Sequence, residues 1–164
     1  MRPLSRNEKI IGGVVGIIVV VVILVAIFSS SGEVTQIYVQ ADEFVTVFVN
    51  GKEVGKPHAG WPTLGTIETK TKPGDIIKFT VRNTGSAGGL RATIVRKNMI
   101  INSGVGIKVV DGETIDVVNT EWKWAVDGAW AVLKDVPLAH KASKWIWNKN
   151  MCMDCTVAFE ATIP

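Results

Sequence analysis

The chain has 164 residues, which is enough for one domain with a short appendage. Its net charge of +3 comes from 18 basic and 15 acidic residues that are scattered along the sequence, a pattern that does not favour a nucleic-acid surface. Mean hydropathy is positive, at +0.27, largely because of one apolar block near the start.

The apolar block predicts a membrane anchor. Residues 1–9 form a basic arm, and the run Ile10 to Phe28 that follows contains only aliphatic residues, Ala, Gly and Phe. At about 1.5 Å rise per residue, a helix over this run would span roughly 28 Å, close to the hydrocarbon thickness of a bilayer. We therefore expect a single transmembrane helix, followed by a linker at residues 29–34. The anchor residues are Ile10, Gly12, Gly16, Val20, Leu24 and Phe28.

The alternative to a retained anchor is a cleaved signal peptide, in which the small residues 29–32 would form the cleavage region. The apolar run is longer than the usual core of a signal peptide, and no clear small-x-small cleavage site follows it, which favours the anchor. Arg2, Arg6 and Lys9 before the run place the N-terminus on the interior side by the positive-inside tendency. The remaining chain would then lie across the membrane.

Residues 35–164 have the pattern of an all-β domain. Apolar residues recur with a period of two, and turn residues arrive every eight to twelve positions. The predicted strands are Thr35 to Gln40, Phe44 to Val49, Thr66 to Thr71, Ile76 to Asn83, Leu90 to Arg96, Asn98 to Ser103, Ile107 to Val110, Thr114 to Val118, Ala129 to Leu133, Trp145 to Asn148 and Thr156 to Thr162.

Two turns are predicted from their residue types. Asn50-Gly51 follows a strongly alternating strand, and these residues favour a type I′ hairpin, which needs positive φ at both central positions. Lys72-Pro73-Gly74-Asp75 favours a type II turn, because Pro presets φ at one central residue and Gly accepts positive φ at the next.

Several of these segments together resemble a known family. The acidic-aromatic start at residues 41–44, the Asn50-Gly51 hairpin, the Pro73-Gly74-Asp75 turn and the Gly-rich loop at residues 83–92 are similar to those of the galactose-binding-domain-like jelly rolls. The resemblance implies a jelly-roll β-sandwich that binds a sugar or another protein. The anchored module is also similar to small membrane-associated minor capsid proteins of large icosahedral DNA viruses with an internal membrane.

Six tryptophans are candidates for either contact or core. Trp122 with Trp124 and Trp145 with Trp147 are spaced to share strand faces, where they would be core residues or a stacking platform. Loop aromatics are better contact candidates, so Trp61 and the nearby His58 are the predicted contact residues, together with Trp130.

Cys152 and Cys155 are spaced for a disulfide that closes a small loop, or they are two free thiols. A redox site would need a helix start beside them, and a zinc site would need two more ligands, for which only His58 and His140 are on offer. No cofactor is expected; structural calcium remains an alternative, but none of the carboxylates forms a recognisable calcium loop. Those carboxylates are Asp42, Glu43, Asp111, Glu113 and Asp116.

No catalytic arrangement is apparent, so the sequence predicts a protein that is not an enzyme. The leading hypothesis is a structural protein that tethers a jelly-roll module to a membrane and docks it on neighbouring proteins of a large assembly, such as the capsid proteins of a virion. The alternative is a membrane-anchored, lectin-like module that binds glycans.

Overall fold

The computed structural model describes residues 32–58, 63–85, 88–116, 136–150, 152 and 154–164. The chain divides into the units Met1–Gly32 and Glu33–Pro164, and the strands belong to the second unit. Among the described residues, no helix is long and apolar enough to cross a membrane. The predicted anchor with its residues, the strand predicted at residues 129–133, and Trp61, Trp122, Trp124 and Trp130 lie outside the described residues.

The described part of the second unit contains eleven strands and one short helix. Their bounds are β1 Glu33–Asp42, β2 Phe44–Val49, β3 Lys52–Gly55, β4 Gly65–Thr71, β5 Ile76–Asn83, β6 Gly89–Arg96, β7 Met99–Asn102, β8 Lys108–Val109, β9 Thr114–Asp116, α1 Leu138–Lys141, β10 Ile146–Asn148 and β11 Cys155–Thr162.

The strands form two antiparallel sheets. Sheet A has the order β4-β1-β6-β10-β9, and β7 pairs with β6 as well. Sheet B has the order β3-β2-β5-β11-β8. The predicted all-β class is therefore confirmed, and the two sheets enclose one hydrophobic core, as in a β-sandwich.

Period-two alternation places one set of side chains in this core. In β1, Ile37, Val39 and Ala41 are fully buried and belong to the core. Phe159 of β11 packs on Trp147 of β10, with ring centroids 5.7 Å apart, so the aromatic pair joins the two sheets. Burying each such ring contributes about 1.5–3 kcal/mol.

Both predicted turns are confirmed. Asn50 and Gly51 have φ values of 49° and 79°, as a type I′ hairpin requires. Gly74 has φ of 87° and lies in a turn closed by the Asp75 amide, which donates to Lys72 O at 3.1 Å. The Asn50 side chain also donates to Asp75 Oδ1 at 2.9 Å, so the two turns hold each other in place.

Most predicted strands are confirmed within the described residues. The strands at Phe44–Val49 and Ile76–Asn83 have the predicted bounds, and the others differ by at most two residues at either end; β1 begins at Glu33, within the predicted linker. The predicted end of the strand that begins at Thr114 lies outside the described residues. Trp145 and Trp147 are both buried, which confirms the core interpretation for this pair. The short helix α1 was not predicted.

Candidate functional site

The outer face of sheet B is open to solvent. Register places alternate residues of β2, β5 and β11 on this face. None of these outward residues is buried, although the inward residues of the same strands form the core. They are Phe44, Thr46, Phe48, Ile76, Lys78, Thr80, Arg82, Thr156, Ala158, Glu160 and Thr162.

Apolar side chains are exposed on this open face. Phe44 of β2 is 67% exposed, and Ile76 of β5 is 42% exposed. Phe48 of β2, which pairs with Lys78, lies between them along the strand direction. Cross-strand pairing also sets Lys78 opposite Glu160. Contiguous exposed apolar side chains mark candidate protein contact surfaces.

A cleft lies at one edge of the open face. It has a volume of about 280 Å³ and is lined by residues 43–46 and 56–58. Phe44 lines it, and so does the exposed His58, which was one of the predicted contact residues. The predicted contact residues Trp61 and Trp130 lie outside the described residues. The cleft therefore offers an aromatic ring and an imidazole to a ligand, and the ammonium group of Lys56 beside them is ion-paired with Glu53 at 3.2 Å.

The turn between β1 and β2 is fixed by a carboxylate. Glu43 Oε2 accepts the backbone amide of Thr84 at 3.2 Å and also the Thr84 hydroxyl. Burial raises the pKa of the neighbouring Asp42 to about 6, and the negative charge of Glu43 acts in the same direction. Asp42 thus titrates in mildly acidic solution.

Part of the outer face of sheet A is covered. Gln40, Arg91 and Thr93 lie on this face by register, and all three are buried. Residues 136–143, which include α1 and which we call the strap, lie over this part. Elsewhere on the same face Lys70 and Ile100 are exposed.

Arg91 holds the strap. Its Nε donates to Ser143 O at 3.1 Å and to Ser143 Oγ at 3.0 Å, and its Nη2 donates to His140 O at 3.1 Å and Lys141 O at 3.4 Å. Its Nη1 donates to Gln40 Oε1 at 3.4 Å. Burial lowers the pKa of Arg91, and within the described residues the guanidinium has no ion-pair partner. Carbonyl oxygens at the C-terminal end of α1 stabilise its charge instead.

His140 is fully buried between the strap and sheet A. Its Nδ1 lies 3.0 Å from Thr93 Oγ1 and 3.3 Å from Ser143 Oγ, and its Nε2 lies 3.2 Å from Gln40 Oε1. Burial lowers the pKa of His140 to about 4, and the positive charge of Arg91 acts in the same direction. At neutral pH the imidazole is therefore uncharged.

The Arg91 and His140 cluster attaches the strap to sheet A. All three nitrogens of the Arg91 guanidinium donate to protein oxygens, and both ring nitrogens of His140 have protein partners. This cluster was not predicted from the sequence. Alternation in Leu90–Ile94 could have placed Arg91 and Thr93 on one face, but no sequence pattern indicated that residues 136–143 cover that face.

Cys152 and Cys155 are joined by a disulfide, with Cα atoms 5.9 Å apart. It joins Cys152, in the connection between β10 and β11, to Cys155, the first residue of β11. In the part of the chain that the structure describes, no group of three or more His, Cys, Asp or Glu side chains could hold a metal ion.

Comparison with protein-family models, with curated proteins and with solved structures found no match. The fold and the site are therefore interpreted from this chain's own residues.

Proposed function

We propose that this protein is a non-enzymatic, membrane-tethered interaction module. Residues 10–28 would anchor the chain with its N-terminus on the interior side, and the sandwich, as a galactose-binding-domain-like jelly roll, would dock on a neighbouring protein. The observation that carries this proposal is the open outer face of sheet B, on which none of the outward residues of β2, β5 and β11 is buried and Phe44 and Ile76 are exposed.

The assembly we propose is a membrane-containing virion, in which the module links the inner membrane to the shell. The support is the sequence resemblance to small membrane-associated minor capsid proteins, together with a domain whose described residues offer a contact face. A tether of this kind needs only weak lateral contacts, because membrane attachment raises the effective concentration of the partners.

The docking face is tested by cross-linking the full chain in its native membrane and identifying the neighbours by mass spectrometry. We expect one dominant protein neighbour, with cross-links at Lys78 of the open face. Phe44→Glu should reduce this cross-linking at least about tenfold, since a charge replaces an apolar contact. Ile100→Glu is the matched control, because Ile100 is 51% exposed and belongs to β7 of sheet A. A protein recovered without neighbours, or an equal effect of both variants, would contradict the proposal.

The anchor is tested by carbonate extraction of membranes that contain the full chain. We expect the protein to remain in the pellet, and the double variant Val20→Lys, Leu24→Lys to move to the supernatant, because a charge at the centre of a spanning helix costs about 2.5–3.5 kcal/mol on insertion scales. Intact mass decides the alternative: a mature chain that lacks residues 1–28 identifies a cleaved signal peptide.

A glycan-binding module is the second candidate, and the cleft beside Phe44 and His58 favours it. An exposed aromatic ring next to hydrogen-bonding groups can stack on a sugar ring. The full chain in detergent would be applied to a glycan array, with Phe44→Ser as the matched variant. Glycan binding that disappears in Phe44→Ser supports this candidate, and the absence of binding to any glycan on the array excludes it.

A further inference from the structure

The strap is attached to sheet A mainly through polar contacts. Of residues 136–143, only Val136, His140 and Ser143 are buried, and Leu138 is 82% exposed. Little apolar surface therefore resists the opening of this segment, whereas the sandwich beneath it has a continuous apolar core.

The end of the strap next to β10 is fixed independently. The Lys144 amide donates to Ser103 O at 3.0 Å, and Ser103 Oγ donates to Lys144 O at 2.5 Å. These two bonds involve neither Arg91 nor His140. The strap can therefore leave sheet A about Lys144 while β10 keeps its place in the sheet.

Two basic groups share one acceptor under the strap. Gln40 Oε1 lies 3.2 Å from His140 Nε2 and 3.4 Å from Arg91 Nη1. A proton on His140 would therefore place a second positive charge beside a buried guanidinium that, within the described residues, has no carboxylate partner. Buried like charges without a counter-charge are strongly unfavourable.

We propose that the strap is an acid-sensitive clasp: neutral His140 holds residues 136–143 on the outer face of sheet A, and protonation of His140 releases them while the sandwich stays folded. Release removes the strap from Arg91, so that acid turns the covered part of this face into a polar, positively charged surface. The low pKa of His140 agrees with this arrangement, because the proton binds more tightly once the ring reaches water.

Other charged groups near the clasp set the control measurements. Those facing His140 or sharing its surroundings are Arg91 of β6, Tyr38 and Asp42 of β1, and Lys141 and Lys144 next to the ring in sequence. Asp42 is the member of this set whose raised pKa of about 6 falls within the same pH range. Replacement of His140 leaves Asp42 in place, so it separates the two titrations.

The test is hydrogen exchange of the full chain in detergent micelles between pH 6.5 and 4.5, after correction for intrinsic exchange rates. The reporting amides are those of His140 and Ser143, which donate to Pro137 O and His140 O. We expect the protection of these amides to fall by up to about tenfold for each unit by which the pH is lowered, as the uptake of one proton requires. The amides of β5 should keep their protection. Protection of the strap that does not change with pH would overturn the proposal.

The chain contains two histidines, which provides a matched control. His58→Gln replaces the exposed ring and should leave the pH dependence of the strap unchanged, and His140→Gln should abolish it. A loss of protection towards acid that survives in His140→Gln belongs to another group and overturns the proposal, whereas protonation of Asp42 would change protection in the opposite direction. If the strap amides of His140→Gln are unprotected at every pH, the test is an NMR titration of His140, the one imidazole that remains in His58→Gln. An ordinary pKa of about 6.5 with a protected strap refutes the clasp.

Discussion

At the scale of single residues, Arg91 differs most from what its type implies. An arginine in a strand is normally exposed or ion-paired, but this one is 3% exposed and donates to three backbone carbonyls of the strap. The planar guanidinium can reach several acceptors at once, whereas an ammonium group reaches them from one point. Arg91 therefore acts through its shape as much as through its charge.

Arg91→Lys should lower the free energy of unfolding by about 2–3 kcal/mol, because several buried carbonyl groups lose their donors. Urea unfolding followed by circular dichroism measures this change. Arg82→Lys is the matched control, since Arg82 is exposed and its ion pair with Asp154 lies at the surface. A surface pair of this kind contributes at most about 1 kcal/mol. Equal effects of the two substitutions would contradict the role assigned to Arg91.

Asp42 and His140 are expected to oppose each other in the pH dependence of stability. The pKa of Asp42 is raised to about 6 from an ordinary value of 3.8, so the folded state holds the proton longer and stability falls as pH rises from 4 to 6. The pKa of His140 is lowered to about 4 from 6.5, so the unfolded state takes up the proton first and stability rises from pH 4 to 6.5.

Two variants separate these contributions, with urea midpoints measured from pH 4 to 7. Asp42→Asn should make stability rise more steeply with pH than it does in the parent chain, because the opposing Asp42 contribution is gone while that of His140 remains. His140→Gln should change the slope in the opposite direction. If both variants shift the slope in the same direction, one of the two assigned signs is wrong.

At the scale of elements, a glycine sets the contact between a loop and β10. A Cβ atom at Gly88 would overlap the indole ring of Trp147, which is fully buried. Gly88→Ala should therefore destabilise the domain by about 1–3 kcal/mol through overpacking, which urea unfolding would measure. Gly85→Ala in the same loop is the control, because its Cβ would come no closer than 3.4 Å to another atom. A neutral Gly88→Ala would show that the ring can move.

Much of the sheet architecture was predictable from the sequence. Alternation identified strands such as β2 and β5, and Asn50-Gly51 and Pro73-Gly74 located the turns, because these signals are local. The candidate cleft was indicated only through His58. Phe44 was predicted to be in a strand, but the exposure of its side chain depends on whether another element covers sheet B, and alternation cannot show that.

The covered part of the outer face of sheet A was not predictable for a physical reason. Gln40 and Arg91 are paired across 51 positions of sequence, and the residues that cover them lie a further 49 positions away at His140. Such long-range contacts leave no periodic signal. The four-residue helix α1 is also too short to show a helical period, so both the strap and its fastening became apparent only in three dimensions.

At the scale of the whole molecule, the sheets are built from distant parts of the chain. β1 pairs with β6 from Thr35↔Arg96 to Asp42↔Gly89, and β5 pairs with β11 over eight positions from Ile76↔Thr162 to Asn83↔Cys155. Contacts of this sequence separation slow folding, because loop-closure entropy is lost before the contacts form.

We therefore expect the domain to fold in milliseconds to seconds rather than microseconds. Stopped-flow tryptophan fluorescence of the full chain, diluted from urea into detergent, would measure the rate. Refolding that is complete within the dead time of mixing would contradict the folding time expected from these long-range pairings.

The contrast between the two outer faces limits what the domain can build. The outer face of sheet B is continuous, whereas the strap interrupts the outer face of sheet A, on which Lys70 and Ile100 stay exposed. Units of this kind can stack through sheet B, but the strap blocks a second contact of the same extent over Arg91. Opening of the strap would remove this obstacle.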